Sequence, residues 1–445
     1  MGQHEPFNYK TNEDLLSKAE ALGLNLPFQA SIDPLFDKVR IGSKWVPNRL
    51  VVQPMEADDG LPDGSPGEWT FRRYCRYAEG GSGLIWFEAT SIVPEGRSNP
   101  HQLMLNRKTL DGFKRLVERA RQASQRALRI NHDPYLVLQL THSGRFSKPE
   151  GKSLGKTACL NPYLDEPDEA LTLFSDEELD RLKNTFTEVI GLAYEAGFDA
   201  VDIKACHGYL LHELLGARTR ADSRYGGSLE NRARFIIDCV QIARRDHPRI
   251  AVAVRLSATD GIPYPCGFGM ADDGSDRIDL SEPKRLIRQL IEAGCRLLNI
   301  TAGIPLVFPH ISRPYNRPMG GSDRPKEHPL EGVVRLINLA GDLQREFPLV
   351  PLVSSGYSWL RQFWPHVGAA VIQEGKASFI GLGRSSFAYP EAPRDLMTTG
   401  KIDPRKSCIS CSRCSELLRR GRPSGCAVRD REIYAEEYRK MEKSV

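Results

Sequence analysis

Three side chains that can donate or stabilise a proton follow one short apolar segment of the chain. Residues 200–203 read AVDI, and Lys204, His207 and Tyr209 come soon after them. A lysine or a histidine can donate a hydrogen bond to an oxygen that gains negative charge, and a tyrosine, with an unperturbed pKa near ~10, can act as a weak acid. Parallel α/β barrels keep their catalytic residues at the C-terminal ends of strands. The pattern predicts proton-transfer chemistry at this strand end.

Other apolar segments also carry or precede polar residues and glycines. Gln139 and Arg255 lie within two of them, where a buried polar side chain needs a partner. Two glycine-bearing turns, 354–356 and 381–384, follow two consecutive segments near the end of the chain. Backbone N–H groups of such turns bind phosphate in barrels of this kind. Because Arg384 stands beside the second turn, the pair predicts a phosphorylated cofactor.

The elements that must position these residues alternate along the chain between apolar strands and helical patterns. Near-continuous apolar strands indicate a parallel sheet buried on both faces, and their number favours a closed barrel. We therefore predict an α/β protein with a (β/α)8 TIM barrel at 35–395, an N-terminal helical extension at 1–34 and a short cysteine-rich C-terminal segment at 396–445. The predicted strands are 49–54, 83–89, 135–140, 200–205, 250–256, 296–301, 351–356 and 378–383.

Local signals add detail to this architecture. Thr11 is predicted to cap an N-terminal helix that ends at Gly23, and the turn at 42–43 predicts a hairpin. Ser175 followed by Glu178 is a capping box at the start of a further helix. Long loops at 141–175 and 302–330 follow the third and sixth strands, so both are expected at the C-terminal mouth of the barrel.

The composition excludes several classes of protein. The 445 residues are 40% hydrophobic and 27% charged, which is ordinary for a globular protein. Because 61 basic residues face 57 acidic ones, for a net charge of +4, neither nucleic acid nor a membrane is an expected partner. We find no secretory leader and no apolar run of membrane-spanning length, and expect a cytoplasmic protein. The composition leaves open whether it forms a homo-oligomer.

Four of the ten cysteines are clustered near the C-terminal end. Cys408, Cys411, Cys414 and Cys426 form the pattern C-x2-C-x2-C-x11-C. Thiolates at this spacing suit either a [4Fe-4S] cluster or a tetrahedral zinc ion.

Eight ordered blocks of the sequence resemble a known family. They are NRLVVQPM, GLIWFEATSIVPEGR, LQLTHSGR, GFDAVDIKACHGYLLHELL, YGGSLENRARF, VRLSA, SSGYSWL and FIGLGR. In this order they resemble the Old Yellow Enzyme family of FMN-dependent oxidoreductases, whose fold is a (β/α)8 barrel, over roughly residues 35–395. The cysteine segment resembles the iron–sulfur segment of the family branch typified by 2,4-dienoyl-CoA reductase and trimethylamine dehydrogenase. In that branch the cluster relays electrons between FMN and a second redox partner.

The resemblance implies a set of flavin contacts. Gln139 and Arg255 would bind the pyrimidine end of the flavin, and Arg255 would also stabilise negative charge on the reduced ring. The remaining implied contacts lie along the isoalloxazine (Pro54, Met55 and Ala89) and at the FMN phosphate (Ser355, Gly356, Gly383 and Arg384).

The resemblance also assigns two residues to the substrate, and the chain departs from the family beside them. His207 matches a position that hydrogen-bonds the substrate carbonyl, and Tyr209 matches the tyrosine that protonates carbon. Lys204 stands where many relatives have a second donor, and Glu56 stands beside the flavin where they often have threonine or cysteine. Lys204 either replaces the missing donor or forms a buried ion pair with Glu56 or Asp202.

Three functions are compatible with these residues. The first is reduction of an activated C=C bond in a small enone- or enoate-type substrate, with hydride from reduced FMN and a proton from Tyr209. The second is an amine-type dehydrogenase that passes electrons outward through FMN and the metal cluster, and the third is a non-catalytic electron-transfer protein. No GxGxxG motif follows a strand, so electrons are expected from free NAD(P)H or from reduced ferredoxin or flavodoxin. A separate carrier protein could dock on residues 405–431, which hold eight basic and two acidic side chains.

Overall fold

The computed structural model describes residues 3–128, 132–166, 170–320 and 324–443. Within that part of the chain eight parallel strands close into a barrel, and each strand pairs with the next in chain order until the last pairs with the first. The barrel strands are β1 (Leu50–Val52), β2 (Leu84–Ser91), β3 (Tyr135–Thr141), β4 (Ala200–Ile203), β5 (Ala251–Ser257), β6 (Leu297–Thr301), β7 (Leu352–Ser354) and β8 (Phe379–Leu382). The predicted (β/α)8 barrel and its strands are confirmed.

Amphipathic helices cover the outside of the barrel. In the helix Asp176–Glu195 the buried residues Leu179, Leu182, Phe186 and Val189 recur every three or four positions, so one face is apolar. The other outer helices are Glu68–Glu79, Leu110–Leu128, Leu229–Asp246, Ser281–Ala293, Pro329–Glu346, Trp364–Gln373 and Ala392–Thr399. Shorter helices follow β4 (Leu210–Gly216), β6 (Pro309–Ser312) and β8 (Arg384–Ala388).

The N-terminal elements form as the local signals predict. Thr11 caps the helix Asn12–Ala21 through a capping box with Asp14. The strands Val39–Ile41 and Lys44–Val46 pair as an antiparallel hairpin. Two residues of this hairpin, Ile41 and Val46, pack with the apolar lower layer of the barrel interior, so the hairpin closes the N-terminal end of the barrel.

The C-terminal segment packs against the barrel beside β1. Its helices Arg413–Arg419 and Tyr434–Lys443 share a small apolar cluster of their own. The Ser424 N–H donates to the Ala57 carbonyl at 2.7 Å, which joins the cysteine segment to the loop after β1. Among the described helices, none combines the length and apolar character that a membrane crossing requires.

The helix that follows the long β3 loop offers a test of the capping box. Ser175 accepts from the Glu178 N–H, and the Glu178 side chain accepts from the Ser175 N–H at 2.8 Å. We expect Ser175→Ala to lower the free energy of unfolding by about 1 kcal/mol, because one N-terminal N–H loses its acceptor. Denaturant unfolding measures this change. Thr185→Ala on the same helix is the control and should stay within about 0.5 kcal/mol; equal losses in both variants would contradict the capping role.

Candidate active site

A three-residue cluster lies at the C-terminal mouth of the barrel. Lys204 follows β4 directly, Glu56 follows β1, and Tyr209 precedes the short helix after β4. Lys204 Nζ lies 2.7 Å from Glu56 Oε1, and the Tyr209 hydroxyl donates to Glu56 Oε1 and Oε2 at 2.9 and 2.8 Å. Lys204 Nζ also lies 3.3 Å from the centre of the Tyr209 ring. Of the two ion pairs considered for Lys204, the structure forms the one with Glu56.

Burial strengthens the electrostatic interactions within this cluster. Tyr209 is 8% exposed and Lys204 is 3% exposed. Burial raises the pKa of Tyr209 well above its ordinary value, and the Glu56 carboxylate raises it further. Tyr209 therefore holds its proton at neutral pH, and that proton is directed at Glu56.

His207 lies in a tight turn between β4 and the following helix. Its backbone has a φ of 63°, in the left-handed region, and its N–H donates to Ser257 Oγ at 3.2 Å. Its Nε2 lies 3.1 Å from Thr301 Oγ1. Burial lowers the pKa of His207 well below its ordinary value, and the charges of Arg255 and Lys204 act in the same direction. The imidazole is therefore neutral, with one N–H that can be donated.

Asp202 organises the polar layer inside the barrel. It accepts from Gln139 Nε2 at 2.6 Å, Trp86 Nε1 at 2.9 Å and the Arg255 backbone N–H at 2.6 Å. Burial raises the pKa of Asp202 to about 6, against the opposing effect of these hydrogen bonds. The sequence indicated this carboxylate only as a candidate partner for Lys204. The presence of a charged residue in an otherwise apolar strand was the sequence feature that could have indicated a structural role for Asp202.

Two polar atoms in this layer lack partners. Gln139 Oε1 and Arg255 Nε are buried and have no hydrogen-bond partner within the described residues. Asp202 fixes the amide of Gln139, so its unpaired oxygen has a defined direction. Buried polar atoms of this kind need a partner, and the edge of a flavin pyrimidine ring offers donors and acceptors. These residues fit the flavin contacts that the family resemblance implies.

The turns after β7 and β8 carry the residues that the resemblance implies at the FMN phosphate, and together they are called the expected phosphate end. Gly356 has a φ of 106°, and a Cβ at Gly383 would lie 3.0 Å from Met55 Sδ, so both positions favour glycine. Arg384 donates to the Pro314 carbonyl at 2.5 Å, while its Nη1 is buried without a partner among the described residues. Ser355 Oγ donates to the Ile300 carbonyl at 3.0 Å, which orients this turn.

The residues predicted to lie along the flavin ring are in the loop after β1 and in β2. Pro54 and Ala89 are buried, Met55 is half-buried, and the Ala89 carbonyl accepts from Gln102 at 3.1 Å. Glu56 belongs to the same stretch, but its side chain contacts Lys204 and Tyr209. Unpaired polar atoms at the two ends and glycines between close-packed groups together fit a bound FMN.

A buried charge cluster behind this site was not predicted. Arg73 Nη2 lies 2.8 Å from Asp59 and 2.6 Å from Glu88, which lies in β2. Glu88 also accepts from the Ala57 N–H at 2.8 Å, and burial raises the pKa of Glu88 to about 7. The cluster holds the loop that carries Glu56. No local sequence pattern indicated this cluster, because Arg73 lies on a helix with two neighbouring arginines and nothing in the sequence distinguishes it from them.

The cysteine segment lies beside the phosphate end of the site. Arg384 lowers the pKa of the Cys408 and Cys414 thiols, although burial raises both pKa values overall. Backbone N–H groups of Ser410 and Arg429 donate to Cys408 Sγ and Cys426 Sγ, each at 3.4 Å. Cys411 is half-buried. Across the described ranges, no three His, Cys, Asp or Glu side chains converge on a single-ion site.

A (β/α)8 barrel whose described residues include unpaired buried polar atoms on Gln139, Arg255 and Arg384 fits the class of flavin-binding barrels. The comparison with protein families agrees with this class. Residues 34–279 match the model of the NADH:flavin oxidoreductase / NADH oxidase family. The chain belongs to this family, and the resemblance drawn from its sequence motifs is confirmed.

Several proteins that are similar to this chain are longer than it is. It is 28% identical over 391 residues to the NADH oxidase of Thermoanaerobacter brockii, covering 85% of this chain and 52% of that relative. A 2-naphthoyl-CoA reductase structure aligns with a TM-score of 0.72 at 20% identity, over 92% of this chain and 58% of that one. Histamine dehydrogenase from Rhizobium sp. 4-9 aligns with a TM-score of 0.67 at 23% identity, over 89% and 52%. The chain thus spans about half the length of these relatives.

Arg384 allows the phosphate end to be tested separately from the ring. We expect Arg384→Met to weaken FMN binding to the apoprotein by about tenfold or more, because a charge-assisted hydrogen bond contributes ~1.5–3 kcal/mol. Riboflavin, which lacks the phosphate, should bind both proteins equally. Quenching of flavin fluorescence measures both affinities. Equal losses for FMN and riboflavin would contradict a phosphate contact.

Proposed function

We propose that the protein is an FMN-dependent oxidoreductase that reduces an activated C=C bond of a small enone- or enoate-type substrate. Family membership supports the flavin chemistry, and the similarity to an NADH oxidase supports NAD(P)H as the electron donor. The observation that carries the proposal is the convergence at one strand end of a neutral imidazole, an ammonium and a protonated phenol, His207, Lys204 and Tyr209. Reduction of an enone needs donors at oxygen and an acid at carbon.

In this proposal each residue near the flavin has one task. Gln139 and Arg255 bind the pyrimidine end, and the positive charge of Arg255 stabilises the reduced ring. Ser355, Gly356, Gly383 and Arg384 bind the phosphate. The bound FMN supplies hydride at N5.

The residues after β4 act on the substrate. The neutral imidazole of His207 donates to the carbonyl oxygen, where negative charge develops as hydride arrives at the β-carbon. Tyr209 supplies the proton to the α-carbon. Burial favours both tasks, since water is excluded from hydrogen bonds that must form at defined atoms.

An amine-type dehydrogenase is the second candidate. Lys204 and Glu56 favour it, because their ion pair alters the set of donors that would bind an electrophilic substrate. The fold-level similarity to histamine dehydrogenase is compatible with this direction of electron flow. A non-catalytic electron-transfer protein is less well supported, since it requires no buried phenol–carboxylate–ammonium cluster.

We further propose that Cys408, Cys411, Cys414 and Cys426 hold a [4Fe-4S] cluster, with zinc as the alternative. The two N–H···S contacts support a thiolate site, and the resemblance of this segment to the iron–sulfur segment of the family branch favours the cluster over zinc. This cluster would exchange electrons with a separate ferredoxin- or flavodoxin-type carrier docked on the basic segment 405–431. The domain boundaries at 34 and 395, the cytoplasmic location and the homo-oligomeric state stay predictions.

Metal analysis tests the cysteine assignment. We expect the purified protein to contain iron together with FMN, and Cys414→Ser to lose iron while retaining FMN. Absorption spectra and elemental analysis measure both. Zinc without iron would remove the electron relay, and a protein purified without flavin under conditions that retain FMN in relatives would contradict the main proposal.

Tyr209→Phe tests the proton donor. We expect the variant to slow the oxidation of reduced flavin by an enone by about 10²-fold or more, because a positioned general acid contributes ~10²–10⁴. Flavin reduction by NAD(P)H needs no proton at carbon and should be unchanged. Stopped-flow absorbance separates the two half-reactions, and equal slowing of both would reject the assignment.

The direction of the reaction can be decided with the native protein. Photoreduced protein mixed with enones should be reoxidised, whereas oxidised protein mixed with amines should keep its oxidised spectrum. Reduction by an amine without reoxidation by any enone would favour the dehydrogenase.

A further inference from the structure

We propose that Lys204, Glu56 and Tyr209 form a proton relay in which the Lys204 ammonium restores the proton that Tyr209 gives to the substrate. The relay rests on the proposed function, because it assumes that Tyr209 protonates carbon. It assigns a reactive task to the two residues at which this chain departs from the family pattern. Neither needs to touch the substrate for the relay to operate.

The geometry connects the three groups through one carboxylate. Glu56 Oε1 accepts from Lys204 at 2.7 Å and from Tyr209 at 2.9 Å, and Oε2 accepts from Tyr209 at 2.8 Å. Both donors thus contact the same oxygen at distances that allow proton transfer. The ammonium also lies 3.3 Å from the centre of the Tyr209 ring, so its charge acts directly on the phenol.

Because Tyr209 is buried, the proton that it loses has to be restored by a neighbouring group. Tyr209 is 8% exposed, and its hydroxyl is hydrogen-bonded to a carboxylate instead of bulk water. When Tyr209 loses its proton, a phenolate and a carboxylate face each other at hydrogen-bonding distance, and like charges in a low-dielectric site repel strongly. Transfer of the Lys204 proton removes this repulsion, since it leaves a neutral lysine, one carboxylate and a neutral phenol.

The step balances without any further reactant. The Tyr209 O–H bond breaks as the new C–H bond forms at the α-carbon, while hydride from reduced FMN reaches the β-carbon. In the same step Glu56 gives a proton to the Tyr209 oxygen as it receives one from Lys204 Nζ. Lys204 is left as a neutral amine and takes a proton from solvent water before the next turnover.

Other polar groups near the relay supply alternatives that the experiment must separate. The Tyr209 hydroxyl also interacts with Ser98, whose hydroxyl has no proton to lose at neutral pH. Asp58 faces Glu56, and burial together with Glu56 and Glu88 raises the pKa of Asp58 well above its ordinary value. Asp58 lines a cavity of about 420 Å³ and is a rival source of protons. Burial, together with the charges of Arg255 and Lys204, lowers the pKa of His207, so its neutral imidazole has no extra proton to supply to the relay.

Lys204→Arg is the decisive variant. Arginine keeps the positive charge and can pair with Glu56, but its guanidinium does not give up a proton. We expect the oxidative half-reaction, in which an enone oxidises the reduced flavin, to slow by about tenfold or more. Oxidation by ferricyanide, which needs no proton at carbon, should be unchanged. Wild-type rates with the enone in Lys204→Arg would overturn the relay.

Rates in mixtures of H2O and D2O give a second measurement that does not depend on the size of arginine. If protons move together along the relay, the rate with the enone should fall along a curve as the deuterium fraction rises. In Glu56→Gln one proton moves, and the dependence should be linear. Asp58→Asn, which resembles the protonated carboxyl, is the matched control and should keep the curve. A linear dependence in the wild type, or a curve lost in Asp58→Asn, would contradict the relay.

Titration of Tyr209 distinguishes failure of the relay from failure of the proposed function. Tyrosinate absorbance, corrected with Tyr209→Phe, is measured without substrate. Glu56→Gln should lower the pKa of Tyr209 into the measurable alkaline range, because a negative charge is removed, and adding Lys204→Gln should raise it again. If neither change shifts the Tyr209 pKa, the relay is wrong whatever the substrate. If both shifts occur but no enone oxidises the wild-type flavin, the proposed function is wrong.

Discussion

Closure of the parallel barrel is the constraint on which the site depends. Ile380 of the last strand pairs with Leu50 of the first, so the C-terminal ends of all the strands meet in one ring. This closure brings Glu56, which follows β1, within 2.7 Å of Lys204, although the two are separated by 148 positions in the chain. In an open sheet the first strand would not lie in the same ring as the fourth.

Two buried charge clusters, around Asp202 and around Arg73, hold this polar ring together. Asp202 accepts three hydrogen bonds from Gln139, Trp86 and Arg255, and Arg73 lies between Asp59 and Glu88. Removal of one partner would leave an uncompensated charge in a region of low dielectric, which costs more than an exposed ion pair contributes. These clusters therefore hold strand ends and loops in place, and they orient the groups that are left unpaired for a ligand.

Lys204 and Glu56 have to be considered together for the same reason. A lysine that is 3% exposed requires a nearby negative charge, and a carboxylate beside a buried phenol requires a compensating positive one. Their pairing places a net-neutral unit against Tyr209 at the two positions where this chain departs from the pattern of the family. Substrate preferences of relatives are therefore a weak guide to the substrate of this chain, and the electrostatics of the pair are a better one.

The sequence by itself determined the strands and the caps of two helices and predicted the residues at the two ends of the flavin, because these features depend on short-range patterns. The period of apolar residues, the Thr11 and Ser175 caps, and the glycines at 356 and 383 act within a few residues of themselves. It also named Glu56 and Asp202 as partners for Lys204 without choosing between them. Only the tertiary structure decided that choice. Asp202 is held inside the barrel by hydrogen bonds from Gln139 and Trp86. Glu56 is brought to Lys204 because β1 and β4, which are distant in sequence, belong to one barrel. A contact between such distant residues produces no pattern in the local sequence.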